Sequence, residues 1–343
     1  MVAKVILNRP WLRQGVLTNV GRTLISVAAA RTVVRPDQTI LTIRKWYSDK
    51  KVLPLRWRPH FLDYLEIHHA MKSHVGRFPN LVNPEDFNDK IQWLKLFDQR
   101  EETVILADKV RVRDWVAERI GPEYLIPVIQ IADHPRELDR AALGTPPYVV
   151  KASHDSGSAQ IVRSLDDDSW AKITKRLSAA VRRRYGTWNS EWPYRYVRPR
   201  VIVEEFIGTD DALPVDYKFN CVNGEIKLVR IFWDRGQGAK VSTVYEDGTQ
   251  ADIRVNPDYE HQESYPLPPN WSELCALARK LAEGIPFVRV DLYSTGKRIY
   301  FGEMTFLPQG GLYRGGDQRA LGDLTPIDLT GYREPIVGRI FTP

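Results

Sequence analysis

Two runs of β-forming residues, 217–222 and 225–233, are separated only by Asn223 and Gly224, and that dipeptide commits the second half of the chain to an antiparallel hairpin. Asn and Gly both tolerate the positive φ that a two-residue hairpin turn demands, so the chain reverses at once and the runs pair. A second reversal follows. Residues 287–293 and 298–306 are also strand-like and flank Thr295, Gly296 and Lys297. Strands that return through tight turns do not build a doubly wound parallel sheet, because parallel neighbours need a crossover of a dozen or more residues. The expected class is therefore α+β, with antiparallel sheets and helices packed on them.

The rest of the chain fits that plan. Apolar spacing predicts helices over 61–73, 89–98 and 109–120, the last stopped by Gly121 and Pro122. The short run 148–152 carries Lys151 near its end and enters a loop of Ser153, His154, Asp155, Ser156, Gly157 and Ser158, after which 159–163 resumes strand character. Residues 168–184 read as an amphipathic helix with Trp170, Ile173, Leu177 and Val181 on one face, and its final Arg182, Arg183 and Arg184 complement the helix dipole. The β-branched run 200–207 carries Glu204 and Glu205. Residues 272–283 form another amphipathic helix, with Leu274, Leu277, Ala278 and Leu281 inward and Gly284 as its stop.

The formal charge of +6 does not indicate a nucleic-acid binder, because residues 1–60 hold twelve Lys and Arg against two Asp, leaving 37 basic and 41 acidic residues elsewhere. Within that arm, residues 15–34 are apolar enough to resemble a membrane span, but Arg22 and Arg31 interrupt them. Two readings stand: an amphipathic contact with an anionic membrane surface, or a packed or solvated arm. No small-residue cleavage site follows a compact apolar run, so no secretory signal is assigned. Cys221 and Cys275 show no metal-ligand spacing, which fits a reducing, cytoplasmic setting, and His68, His69 and His74 lack an HExxH arrangement.

Chemistry concentrates in the last hairpin. Val288, Val290 and Leu292 alternate with Arg289, Asp291 and Tyr293. An odd loop, with Ser294 opposite Arg298, sets Asp291 against Phe301 and Arg289 against Glu303. It gathers Asp291, Arg289 and Glu303 on one exposed face and leaves Val288, Val290, Leu292, Tyr300 and Met304 on the other. An even loop buries Glu303 opposite Val288 unless a bulge intervenes, so the odd loop is expected. Two carboxylates and an Arg on one sheet face suit Mg²⁺ bridging phosphate oxygens, although the same residues also make an ordinary cross-strand ion pair. Lys151 and its small-residue loop suit a triphosphate, and Glu204 and Glu205 suit adenine and ribose.

Six stretches in order, FNDKIQWLKLFDQR, LADKVRVRDWVAERIGPEYLIPV, YVVKASHDSGS, EWPYRYVRPRVIVEEFI, DYKFNCVNGEIKLV and PFVRVDLYSTGKRIYFGEMTFLPQGG, resemble successive blocks of the TupA-like ATP-grasp family over residues 83–311. The resemblance implies an ATP-grasp fold, in which two α+β subdomains clamp ATP and Mg²⁺. It divides the chain into a basic arm at 1–60, a helical region at 61–145, a first subdomain at 146–207 and a second at 208–343. It implies that Lys109 and Lys151 are the nucleotide-binding lysines, that His154, Ser156, Gly157 and Ser158 form the phosphate loop, and that Glu204 and Glu205 sit at the hinge. Asp216 and Lys218 would begin the following strand, with Lys218 reaching the phosphates. Arg289 would contact the acyl phosphate, and Asp291 and Glu303 would bind magnesium. Thr305 stands where most ATP-grasp ligases place an Asn, and a hydroxyl is a weaker ligand.

The activity implied is ATP-dependent joining of a carboxylate to an amine through an acyl phosphate, in bacterial surface-polysaccharide biosynthesis. The substrates would be small molecules or glycan precursors. Two alternatives remain: a kinase of a glycan precursor, and a non-catalytic nucleotide-binding scaffold.

Overall fold

The computed structural model describes residues 60–328, apart from 184, 187, 188, 210–212 and 235–237. The basic arm and its amphipathic stretch lie outside these described residues, except for His60. No described helix is long and apolar enough to cross a membrane.

Helices come first: α1 (His60–His74), α2 (Phe87–Phe97), α3 (Glu102–Ala107) and α4 (Val112–Ile120). Asp86 caps α2 by accepting a hydrogen bond from the Asp89 amide at 2.9 Å, and α4 stops at Gly121, whose φ is 115°. Lys109 therefore lies in the turn before α4 and not within the helix expected from 109. Lys95 of α2 is wholly buried, and its Nζ donates to Gln92 Oε1 (2.9 Å), Asn189 O (2.6 Å) and Gly310 O (2.7 Å). One ammonium thus ties the helical region to the turn that follows the final strand.

The first sheet has the order β1-β4-β2-β3, from β1 (Val128–Ala132), β2 (Tyr148–Ala152), β3 (Gln160–Val162) and β4 (Val201–Glu205), all antiparallel. Strand β1 falls inside the stretch expected to be helical, so the first sheet begins before residue 146. Helix α5 (Asp167–Arg182), capped by Asp166, lays Ile173 and Leu177 into a core with Tyr148, Val150, Val201 and Val203.

The second sheet has the order β10-β9-β5-β6-β7-β8, from β5 (Val215–Val222), β6 (Glu225–Trp233), β7 (Lys240–Val244), β8 (Glu260–His261), β9 (Val288–Ser294) and β10 (Ile299–Thr305). All neighbours are antiparallel except β7 and β8, which are parallel. Asn223 and Gly224 take φ of 50° and 83°, the left-handed pair the first hairpin requires. Helix α6 (Trp271–Ala282) covers one face, burying Leu274, Ala278 and Leu281 among Phe219, Val288, Val290 and Leu292. A short α7 (Gln318–Asp323) follows the second sheet and packs on α2.

The second hairpin departs from the expected register. Ser294 pairs with Ile299 across an even loop, 295–298, and a bulge at Gly302 then sets Glu303 opposite Asp291 and Thr305 opposite Arg289. The bulge restores by insertion what the odd loop would have supplied by length. Its cost in side-chain placement is local: Phe301, not Tyr300, joins the core, while Tyr300 pairs with Tyr293 on the opposite face. A Cβ at position 302 would lie 2.9 Å from Asp291 O and 3.0 Å from the Tyr293 ring, so glycine alone fits there.

Candidate active site

Cross-strand partners share a sheet face, so the register alone places Glu303, Asp291 and Lys218 in one row over β10, β9 and β5. Lys218 Nζ bonds Asp291 and lies 2.8 Å from Asp216 Oδ2. Arg289 Nε donates to Asp291 Oδ1 at 2.6 Å, and its Nη2 reaches Asp291 Oδ2 (2.7 Å), Glu303 Oε1 (3.2 Å) and Thr305 Oγ1 (3.0 Å). Burial opposes the Arg289 charge, but Asp291 and Glu303 outweigh it and raise its pKa further.

The exposed-face expectation divides here. Asp291 is 1% exposed and held from both sides by cations, whereas the Glu303 side chain keeps 37% of its surface. Burial alone would raise the Glu303 carboxyl, yet Lys109, Arg289 and Lys218 together hold it at about 2.

The other two lysines are Lys109, in the turn before α4, and Lys151, on β2 of the first sheet. Lys109 Nζ donates to Asp155 O at 2.7 Å and lies 3.9 Å from Glu303 Oε2, so one ammonium touches both the loop after β2 and the second sheet. Burial lowers its pKa, Glu303 partly restores it, and Lys151 lowers it again. Lys151 Nζ lies 2.5 Å from Glu204 Oε2, and Arg113 holds the other oxygen at 3.3 Å. Glu205, next along the strand, is exposed and directed to the other side, so Glu204 and Glu205 do not converge as side chains.

The loop after β2 is internally braced. Ser158 Oγ donates to Asp155 Oδ1 at 2.5 Å and accepts from the Ala152 amide at 2.9 Å. Ser156 and Gly157 stand exposed at the tip, with Gly157 at φ 91°. His154 is buried with its Nε2 3.0 Å from Arg183 O, which is a bracing contact. Sequence reasoning missed Arg113, Asp155 and Tyr194. Tyr194 lines the cleft with Lys109 and Glu303, and burial, with Glu191 and Glu303, pushes its phenol well up. Tyr194 belongs to a one-turn helix whose sequence carries no periodicity to mark it.

The residues fit a magnesium nucleotide. Among the described residues no cluster of three or more His, Cys, Asp or Glu is arranged to hold a metal alone. Asp291, Glu303 and Thr305 offer hard oxygens but too few of them, the situation of Mg²⁺ sites completed by phosphate oxygens and water. Lys109, Lys151, Lys218 and Arg289 supply the positive charge that a polyphosphate needs.

Two largely antiparallel sheets, a lysine on the first and another beside it that reaches Glu303, and a cation-laced carboxylate pair on the second are the parts of an ATP-grasp protein. The chain belongs to the TupA-like ATP-grasp family, whose model matches residues 89–324. Among solved structures it is similar to D-alanine–D-alanine ligase from Bacillus anthracis (17% identity, TM-score 0.38, covering 64% of this chain and 62% of that one). It is also similar to the Helicobacter pylori D-alanine–D-alanine ligase (14%, 0.38, 70% and 66%) and to the ATP-grasp ligase PsnB with a minimal precursor (10%, 0.36, 62% and 59%). The chain thus spans somewhat under two thirds of each of these structures. No curated protein matches it.

Proposed function

We propose that the protein is an ADP-forming carboxylate–amine ligase that uses ATP through an acyl phosphate. The observation that carries this reading is the contact of Lys109 with both halves of the cleft, the phosphate-loop carbonyl of Asp155 on one side and Glu303 on the other. Asp291 and Glu303 would hold magnesium, with Thr305 as a neutral donor directly or through water, and the ion would supply positive charge against the charge that develops on the phosphates.

Lys109, Lys151 and Lys218 bind the phosphates in this scheme. A substrate carboxylate oxygen attacks the γ-phosphorus, and the bond to the bridging oxygen breaks as ADP leaves. Arg289 holds the acyl phosphate and the tetrahedral species that follows. The amine nitrogen then attacks the acyl carbon, phosphate departs, and the amine proton passes to solvent. No Ser or Cys nucleophile is needed, because ATP supplies the activation and the protein supplies position and charge.

The substrates in this reading are a uronic acid or amino-acid side chain as carboxylate and an amino acid or amino sugar as amine. Family membership supports a role in bacterial surface-polysaccharide biosynthesis, at the cytoplasmic side of the membrane. The test is an ATP-turnover screen of uronic acids with amino acids. ADP and phosphate released only when both partners are present support the ligase. AMP and pyrophosphate, or a phosphorylated acceptor without an amide, overturn it.

A further inference from the structure

The row of site residues does not stop at Lys218. Arg230 on β6 is the direct cross-strand partner of Lys218, and Thr243 on β7 is the partner of Arg230. Glu303, Asp291, Lys218, Arg230 and Thr243 therefore lie side by side on one face. At a strand spacing of about 4.8 Å, Arg230 stands roughly 10 Å from Asp291, within the span of one small molecule.

Arg230 is 4% exposed, yet none of the described residues forms an ion pair with it, and its Nε has no hydrogen-bond partner. Its neighbour Lys218 is another cation, already committed to Asp216 and Asp291. The Phe232 ring lies 5.6 Å from the Arg230 guanidinium and 5.8 Å from the Lys218 ammonium, too weak a partner to replace a carboxylate. Two more polar atoms on this face, Thr243 Oγ1 and Asn220 Oδ1, are buried and have no hydrogen-bond partner among the described residues. Asn220 is also the cross-strand partner of Arg289. A buried guanidinium with no counter-charge is costly to keep, and three unsatisfied polar groups on one face are rare in a folded protein.

We propose that Arg230, with Thr243 and Asn220, forms a subsite for a carboxylate of the substrate that is not the reacting one. The proposal rests on the ligase reading above. A bound carboxylate accepts from the guanidinium and from the Thr243 hydroxyl, while Asn220 Oδ1 accepts an N–H or O–H of the same molecule. That carboxylate comes from one of two sources: the amine partner, if it is an amino acid, or a second acid group on the acyl donor.

The experiment measures thermal unfolding of the full chain with magnesium and a non-hydrolysable ATP analogue. One arm adds the common amino acids and, for each that shifts the midpoint, the matching amine without its carboxylate. The other adds succinate, glutarate and tartrate against their monoamides. Carboxylate-dependent stabilisation in either arm is expected, and that arm names the source. Arg230→Met should abolish the shift, Arg230→Lys should retain part of it, and unliganded Arg230→Met should melt no lower than wild type, since it loses an uncompensated charge. A lower melting point for Arg230→Met, a shift that survives the substitution, or no shift in either arm overturns the subsite. Binding of the ATP analogue, measured on the same samples, separates the two ideas: failure of the wild type to bind it sinks the ligase reading, while binding without a carboxylate effect sinks only this one.

Discussion

Lys218 stands directly opposite Asp291 across β5 and β9, and its ammonium is shared between that carboxylate and Asp216. Asp291 is in turn held by the Arg289 fork, so this carboxylate serves two buried cations at once. Asp291→Asn should then do more than slow the reaction. It takes one carboxylate from each of two buried cations, leaving Lys218 with Asp216 and Arg289 with Glu303, and should cost about 1.5–3 kcal/mol of stability, visible as a lowered unfolding midpoint.

Glu303 is the contrasting case, because much of its side chain meets solvent. Glu303→Gln should reduce magnesium-dependent turnover by about 10²-fold or more, given several kcal/mol for lost metal-directed charge stabilisation. At neutral pH its unfolding midpoint should also fall, because Lys109 and Arg289 lose a carboxylate partner. Turnover equal to wild type would remove Glu303 from the metal site.

Lys151→Ala removes a cation from the cleft but leaves Glu204 paired with Arg113. Losing one charge-assisted contact to phosphate should weaken ATP binding by roughly 10- to 100-fold. Calorimetric titration checks this, and unchanged affinity would withdraw the assignment.

Two carboxyls give opposite pH slopes. Glu303 is held at about 2 against an ordinary 4.5, so between those values the unfolded chain binds the extra proton and stability falls as pH falls. Burial, partly opposed by Arg195, pushes Glu66 up to about 7. Between pH 4.5 and 7 the folded chain binds that extra proton, and stability falls as pH rises. Glu66→Gln should flatten the upper slope and Glu303→Gln the lower one in denaturant titrations at a series of pH values.

Residues 1–60 should be dispensable for binding ATP but required for binding anionic vesicles. A flotation assay with phosphatidylglycerol vesicles compares the full chain with residues 61–343, and retained vesicle binding by the shorter chain would end the membrane reading.

Much of this was legible before any coordinates. Asn223 and Gly224 announced their hairpin because few residues accept positive φ twice in succession. The parity of the second hairpin was hidden, since Ile299, Tyr300 and Phe301 are all apolar and no alternation marks which of them turns inward. Gly302 was the available clue, a glycine inside a strand that needs close backbone approach. Strand β1 went unread because Val128, Ile129 and Ile131 alternate too briefly between Pro127 and the following loop. Lys109, Lys151, Lys218, Arg289, Asp291 and Glu303 were placed by resemblance, and their convergence is a matter of sheet register that composition does not carry. Arg230 was invisible for the same reason: one cation in an apolar run says nothing about its cross-strand neighbours.

The slack residue at 302 also separates the hairpin tip from the working end of the ribbon. Adding one residue to 295–298 would turn Tyr300 and Phe301 over, and only a compensating deletion near 302 would keep Glu303 beside Asp291. Adding two would leave every side chain facing as it does now but would slide Glu303 two positions along β9 from Asp291, so the length of this tip is tied to the site at its far end.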